Sequence, residues 1–260
     1  MTAKVELRDI SLRYFTTESD TEALRSVSLN VGAGEFIAIV GQSGCGKSTL
    51  LSLVAGILKP TGGAVLVDGR PVTGPMRACG YMLQQDYLFE WRTVLENVLI
   101  GPEIQGLDMK AARERGVQLL RRYGLGEFID YYPHQLSGGM RQRAALARTL
   151  CTEPDILLLD EPFSALDFQT RLALADEVSE ILRRENKTVI LVTHDISEAV
   201  SMADRVIVMS RRPGRIKAEH LITFAGAGGT RPKPFKARHE PEFGRYFDTI
   251  WGELEIHVGH

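Results

Sequence analysis

The sequence predicts an α/β protein: a parallel sheet covered by helices, preceded by a strand-only segment and interrupted by a block of helices. Three observations point there. The segments FIAIV (36–40), ILLL (156–159) and TVILV (188–192) are short and wholly apolar, as strands buried on both faces are. VELRDISLRY (5–14) and ALRSVSLNV (23–31) instead alternate apolar and polar residues, as half-buried strands do. Between about residues 90 and 150 the strand patterns give way to helical ones.

The elements follow in order. After the two alternating strands, GEFIAIVG (34–41) runs as a buried strand into a glycine-rich loop. STLLSLVAGIL (48–58) has helical length and stops before Pro60. GGAVLVDGRPV (62–72) reads as a hairpin turning at Asp68-Gly69. The helical block holds TVLENVLIGPEIQG, DMKAARERGVQLLRRYGL and LSGGMRQRAALARTL, up to Cys151. After Pro154 the buried strands return in DILLLDEP and TVILVTHD, joined by a crossover helix over 168–186, and DRVIVMS adds another. Residues 224–239 form a Gly/Pro/basic linker. A last helix, Glu240 to Ile256, places Phe243, Tyr246, Phe247, Ile250, Trp251 and Leu254 on one face. The expected division is a domain over 1–225, its helical part at about 90–150, and a tail over 226–260.

Bulk properties bound the function. The chain has 260 residues, enough for a large core, with 44% hydrophobic and 25% charged residues, as in ordinary soluble globular proteins. A net charge of −2 argues against a nucleic-acid partner. Cys45, Cys79 and Cys151 are dispersed, without metal-ligand spacing, which fits a reducing compartment. The first ten residues carry charges where a signal peptide needs an apolar stretch, and no apolar run is long enough for a membrane span.

Two sites carry chemistry. Gly41 to Ser48 fits G-x-x-x-x-G-K-[ST] between a strand and a helix, the context in which that spacing cradles phosphates. Gly44 and Gly46 let the backbone approach closely, Lys47 reaches the β- and γ-phosphates, and Ser48 ligates Mg²⁺. Cys45 fills a small-residue position. The strand ILLLD delivers Asp160 to its carboxyl end, where ligands bind in such sheets and an acidic group can hold the Mg²⁺ shell. Glu161 follows, placed to take a proton from an attacking water. His194 closes another strand at the same edge, suited to a γ-phosphate contact. A second phosphate-type feature stands at 136–139: Ser137 with the N–H groups of Gly138 and Gly139 opens a helix, where an anion is favoured.

Together these motifs resemble the ATP-binding subunit of an ABC transporter. GQSGCGKST (Gly41–Thr49) is similar to the Walker A loop, ILLLDE to the Walker B strand, LSGGMRQR to the family signature and SALD (Ser164–Asp167) to the D-loop. His194 resembles the switch histidine, Gln84 the Q-loop glutamine, and Tyr14 the aromatic that stacks on adenine. The resemblance implies a P-loop NTPase (RecA-like) core with an antiparallel β-subdomain and an inserted helical signature subdomain. It implies ATP and Mg²⁺ as ligands. Gly41, Ser43, Gly44, Cys45, Gly46, Lys47, Ser48 and Thr49 then hold nucleotide. Ser48, Gln84 and Asp160 hold metal, and Glu161, His194 and Gln84 serve catalysis. It further implies a head-to-tail dimer in which Ser137, Gly138 and Gly139 meet the nucleotide of the neighbour, with Asp167 as a further nucleotide-binding residue.

EWRTVLENV, THDISEAV and ADRVIVMSRRPGRI are similar to the branch importing nitrate, sulfonates and taurine, except that Glu90 stands where that branch has proline. The implied partners are an integral-membrane permease, a second identical subunit and an extracytoplasmic solute-binding protein, at the cytoplasmic face of the membrane. Trp91 reads equally as a core residue or as part of a permease-facing groove. Two other classes use the same phosphate loop. ABC ATPases of ribosomes or DNA carry two cassettes or a coiled-coil insert, and a small-molecule kinase has no use for LSGG.

Overall fold

The computed structural model describes residues 3–15, 20–225 and 231–254. In chain order the elements are β1 (Ala3–Phe15), β2 (Asp20–Gly32), β3 (Phe36–Val40), α1 (Lys47–Val54), β4 (Gly62–Val67), β5 (Arg70–Pro71), β6 (Cys79–Met82), α2 (Val94–Gln105), α3 (Met109–Arg122), α4 (Gly138–Leu150), β7 (Ile156–Asp160), α5 (Phe168–Arg184), β8 (Thr188–Val192), α6 (Ile196–Met202), β9 (Arg205–Met209), β10 (Ile216–Leu221), α7 (Pro234–Ala237) and α8 (Pro241–Glu253). They fall into two compact units, Met1–Met76 with Ala175–His260, and Arg77–Leu174.

In the first unit, β2-β1-β4-β5 form an antiparallel sheet. Its core residues change parity along the chain: Val5 and Leu7 are buried, then Ile10 and Leu12. A regular strand would put the second pair on the opposite face. The register shift between Leu7 and Ile10, where Asp9 takes a φ of 49°, corrects this, and a second shift between Ile10 and Leu12 does the same on β2, where Ser26 takes a φ of 49°. Serine hydroxyls on the partner strands accept the displaced N–H groups, Asp9 N to Ser28 Oγ and Ser26 N to Ser11 Oγ, each at 3.0 Å. Bulges thus keep one apolar face inward. The β4–β5 hairpin turns where the sequence predicts, with Asp68 at φ 49° and Gly69 at φ 72°, the double positive φ of a two-residue type I′ turn.

In the same unit β3 lies parallel between β8 and β9, and β10 closes antiparallel on β9. All five residues of β3 and of β8 are buried. Asp204, just ahead of β9, accepts from the Phe36 N–H at 2.9 Å and from Arg183 Nη2 at 2.9 Å.

The tail packs on this unit. Arg231 donates to the Val200 and Ile222 carbonyls at 2.6 and 3.2 Å and lies over the Phe224 ring. Burial pushes its pKa down to about 10. α8 covers less of its aromatic face than the sequence suggests. Ile250 and Leu254 are buried, but Trp251 is 45% exposed, and Phe243, Tyr246 and Phe247 are only half-buried. Phe243, Phe247 and Trp251 stack on one another along the helix instead. Ile256, the expected end of that helix, lies outside the described residues.

In the second unit β6 and β7 pair in parallel, and α2, α3 and α4 pack together. Thr93 and Glu96 form a reciprocal capping box on α2, and the Asp108 carboxylate caps α3. Among the described residues no helix is long and apolar enough to cross a membrane.

The uneven burial of α8 yields a test. Ile250→Ala empties a fully buried site and is expected to cost about 2–5 kcal/mol in a denaturant melt, while Trp251→Ala costs less than about 1.5 kcal/mol. Equal losses at the two positions would contradict the packing described.

Candidate functional site

The first unit carries the phosphate-type loop. β3 ends at Val40, and the chain passes through Gly41–Gly46 into α1. Gly46 has φ 104°, and a Cβ there would stand 2.7 Å from Leu24 Cδ2, so only glycine fits. A Cβ on Gly41 would meet Cys45 Sγ at 2.7 Å. Cys45 is 1% exposed and packs beneath the loop; burial pushes its thiol pKa up. Ser43 and Gly44 are exposed at the crest, and Arg212 Nε donates to the Gly44 carbonyl at 3.1 Å. The loop is therefore closed below and open above.

Lys47 is only 7% exposed, and its Nζ donates back to the Gly41 and Gln42 carbonyls at 2.8 and 3.2 Å. Ser48 is exposed. Thr49 Oγ1 lies 3.2 Å from the Tyr14 hydroxyl, and Tyr14 keeps 42% of its surface open. His194 is exposed one residue beyond Thr193, whose hydroxyl donates to the buried Glu198 at 2.7 Å. Because β8 runs parallel beside β3, with Ile39 opposite Val192, His194 and the glycine loop leave neighbouring strands at the same end.

The second unit carries the acidic pair. Asp160 ends β7 and is 3% exposed. Glu161 is off the strand rather than on it, with φ 49°. That turn aims its carboxylate at Gln84, whose Nε2 donates to Glu161 Oε2 at 3.1 Å. Gln84 follows β6, the parallel neighbour of β7, with Met82 opposite Leu159; the pair therefore meets at one sheet end. Ser137 caps α4, its Oγ accepting from the Met140 N–H at 3.3 Å. Gly138 and Gly139 form the first turn, and a Cβ on Gly139 would meet Leu166 Cδ2 at 2.9 Å. Asp167 caps α5: its Oδ1 accepts from the Thr170 N–H at 3.0 Å, and the hydrogen bonds from Thr170 hold its carboxyl below the usual range. That residue has a structural duty which the motif does not reveal.

Two further residues organise this unit. Gln142, 4% exposed on α4, donates to the Glu161 carbonyl (3.3 Å) and to Ser164 Oγ (3.2 Å), and accepts from the Ala165 N–H (3.1 Å). Asn97, fully buried on α2, donates to the carbonyls of Phe89, Arg92 and Thr93 and accepts from the Phe89 N–H at 2.7 Å. The signal in both cases is a polar side chain on a helix face that is otherwise apolar. Asn97 sets the loop that displays Trp91, which is 73% exposed against Phe89 and is not a core residue. Phe89, Trp91, Ile100 and Ile104 line a groove of about 410 Å³ rimmed by the Arg92–Glu103 pair.

Asn97→Ala strips donors from three carbonyls at once. It is expected to lower stability by about 2–4 kcal/mol in a urea melt; a loss under about 1 kcal/mol would show that the loop holds itself.

Comparison with known proteins bears on the family and the fold. The ABC transporter family matches residues 24–164, and a family described as AAA domain, putative AbiEii toxin, Type IV TA system matches residues 129–201. An uncharacterized ABC transporter ATP-binding protein, YtlC, of Bacillus subtilis is 47% identical over 93% of this chain and 92% of its own. The nitrate import ATP-binding protein NrtD of Synechocystis is 41% identical, covering 95% and 93%. The taurine import ATP-binding protein TauB of Roseobacter denitrificans is 42% identical, covering 98% and 97%. Among solved structures, the ATP-binding cassette MJ0796, a dimer in a post-hydrolysis state bound to ADP and Pi, superposes with a TM-score of 0.77 at 32% identity over 84% of this chain and 99% of that one. The chain belongs to the ABC transporter family, as one of its ATP-binding, ATP-hydrolysing cassettes.

Proposed function

We propose that this chain energises import of a small anion of the nitrate, sulfonate or taurine kind through a separate membrane permease. It does so as a two-fold dimer at the cytoplasmic face of the membrane, with an extracytoplasmic solute-binding protein completing the assembly. One observation carries the dimer: the chain has two glycine-rich helix starts, at Lys47 and at Gly138, and one triphosphate has need of only one within a subunit. Two-fold pairing gives the second a use, each capping the nucleotide held by the other's first loop. The exposed Trp91 groove offers the permease a concave apolar surface. Relatives named for nitrate and taurine import support the cargo class.

In this reading the open crest at Ser43 and Gly44 receives the phosphates, with Gly41, Gly46 and Cys45 shaping the floor. Lys47 exchanges loop carbonyls for β- and γ-phosphate oxygens, and Tyr14 stacks on the adenine. The donor set for Mg²⁺ is the hydroxyl of Ser48, the carboxylate of Asp160 and the amide oxygen of Gln84. These are hard oxygen ligands, few in number, and so suited to an ion that keeps phosphate and water in its shell. Bound there, the ion supplies charge neutralisation at the phosphates. Glu161 Oε2 takes the proton as the water oxygen bonds to the γ-phosphorus; the bond to the ADP oxygen breaks, and ADP and inorganic phosphate leave. The Gln84 amide orients that carboxylate, and His194 contacts the γ-phosphate. Ser137, Gly138, Gly139 and Asp167 act on the neighbour's nucleotide.

Glu161→Gln keeps the size of the side chain but not its basicity. ATP binding is expected to persist while phosphate release falls about 10²–10⁴-fold, and ATP-bound dimers accumulate in gel filtration. Monomers with wild-type phosphate release would contradict the assignment.

The trans arrangement is tested by mixing two inactive variants. Ser137→Arg blocks the facing loop yet leaves its own Lys47 loop intact, so it binds ATP without turnover. Lys47→Ala binds ATP poorly but keeps an intact LSGG. The mixture is expected to regain part of the activity, measured as phosphate release and as nucleotide trapped in the mixed dimer. Loss of ATP binding by Ser137→Arg alone would place that helix start at its own subunit's nucleotide.

A further inference from the structure

The last turn of α8 ends against the loop that carries Lys47. Gln42 Nε2 donates to the Leu254 carbonyl at 2.8 Å, while the main-chain carbonyl of Gln42 accepts from Lys47 Nζ at 3.2 Å. One loop residue thus holds the catalytic-loop lysine with its backbone and the chain's last described helix with its side chain.

Electrostatics makes this contact more than packing. A helix C-terminus exposes carbonyls with no partner inside the helix and carries partial negative charge. Beside a loop that takes anions, that end would oppose binding. Here two of its carbonyls are covered: Leu254 by Gln42, and Glu253 by Lys217 Nζ at 2.7 Å. The Glu253 carboxylate is in turn held by His220 Nε2 at 2.7 Å. Ile250 and Leu254 anchor the same turn in the core. α8 also packs on α6, the helix that begins two residues after His194.

We propose that Gln42 and the C-terminal end of α8 form a positioning latch for the phosphate loop, so that nucleotide affinity depends on the docked tail. This rests on the reading that Gly41–Ser48 holds the phosphates. Gln42 touches no reacting atom; it fixes the peptide units whose carbonyls set the resting place of Lys47. Because coupling between two sites is reciprocal, nucleotide in the loop must in turn steady α8.

The test uses the full chain, with ADP as probe. In the wild type, ADP is expected to slow hydrogen exchange of the backbone amides over 247–254 by about fivefold or more, and this response is lost in Gln42→Ala. The same variant is expected to raise the Kd for ADP and the KM for ATP by about fivefold, with kcat nearly unchanged. Gln42→Glu, which cannot donate to the Leu254 carbonyl, should behave like Gln42→Ala. An α8 whose exchange ignores ADP in a wild-type chain that binds ADP overturns the latch, even if the variants fold poorly. So does an unchanged Kd in folded Gln42→Ala. A wild-type chain that binds no ADP overturns the reading beneath it, and the latch with it.

Discussion

A buried ammonium group must be hydrogen-bonded or it costs several kcal/mol. Lys47 is such a group, and the first unit is arranged around it. Its charge is met by the Gly41 and Gln42 carbonyls, which requires the loop to curl back over the start of α1. That curl is possible because Gly44 and Gly46 adopt positive φ, because Cys45 is small enough to lie beneath Gly41, and because β3 is buried along its whole length and gives the loop a rigid root. Both acceptors are neutral carbonyls, and an ammonium bonds more strongly to an ionised acceptor.

Much of this was legible in the sequence. The strand–loop–helix context of GQSGCGKST, the Asp68-Gly69 hairpin and the buried strands all have strong local signals, and the structure has them where expected. What escaped had weak signals or depended on pairing. β6 is four residues, CGYM, and acquires strand geometry only by lying beside β7. β10 has an alternating pattern in which no residue is fully buried. The parity change between Leu7 and Ile10 reads as an irregular strand until both bulges are seen. Periodicity puts the α8 stripe on one face but does not say how much partner surface meets it.

The site shows the same division. Residue types in motifs pointed to Lys47, Asp160, Glu161 and Gln84, and Gln84 and Glu161 are in contact. The sequence gives no warning that Asp167 caps α5 or that Glu161 leaves the strand in left-handed backbone. Gln142 and Asn97 lay inside stretches read for other reasons, one for its glycines and the other for its helical period. Each is a buried amide that fastens a loop from inside a helix, a role recognisable only when the loop is folded against it.

Gln142 has a consequence for the order within this unit. Its one amide grips the carbonyl of Glu161 and the N–H of Ala165, and it rides on the helix that Ser137 opens. The Glu161 turn, the Ser164–Ala165 stretch and the start of α4 thereby share one buried amide. Moving any one of them without the others would leave a buried amide with unmet hydrogen bonds, at a cost of about 1–3 kcal/mol.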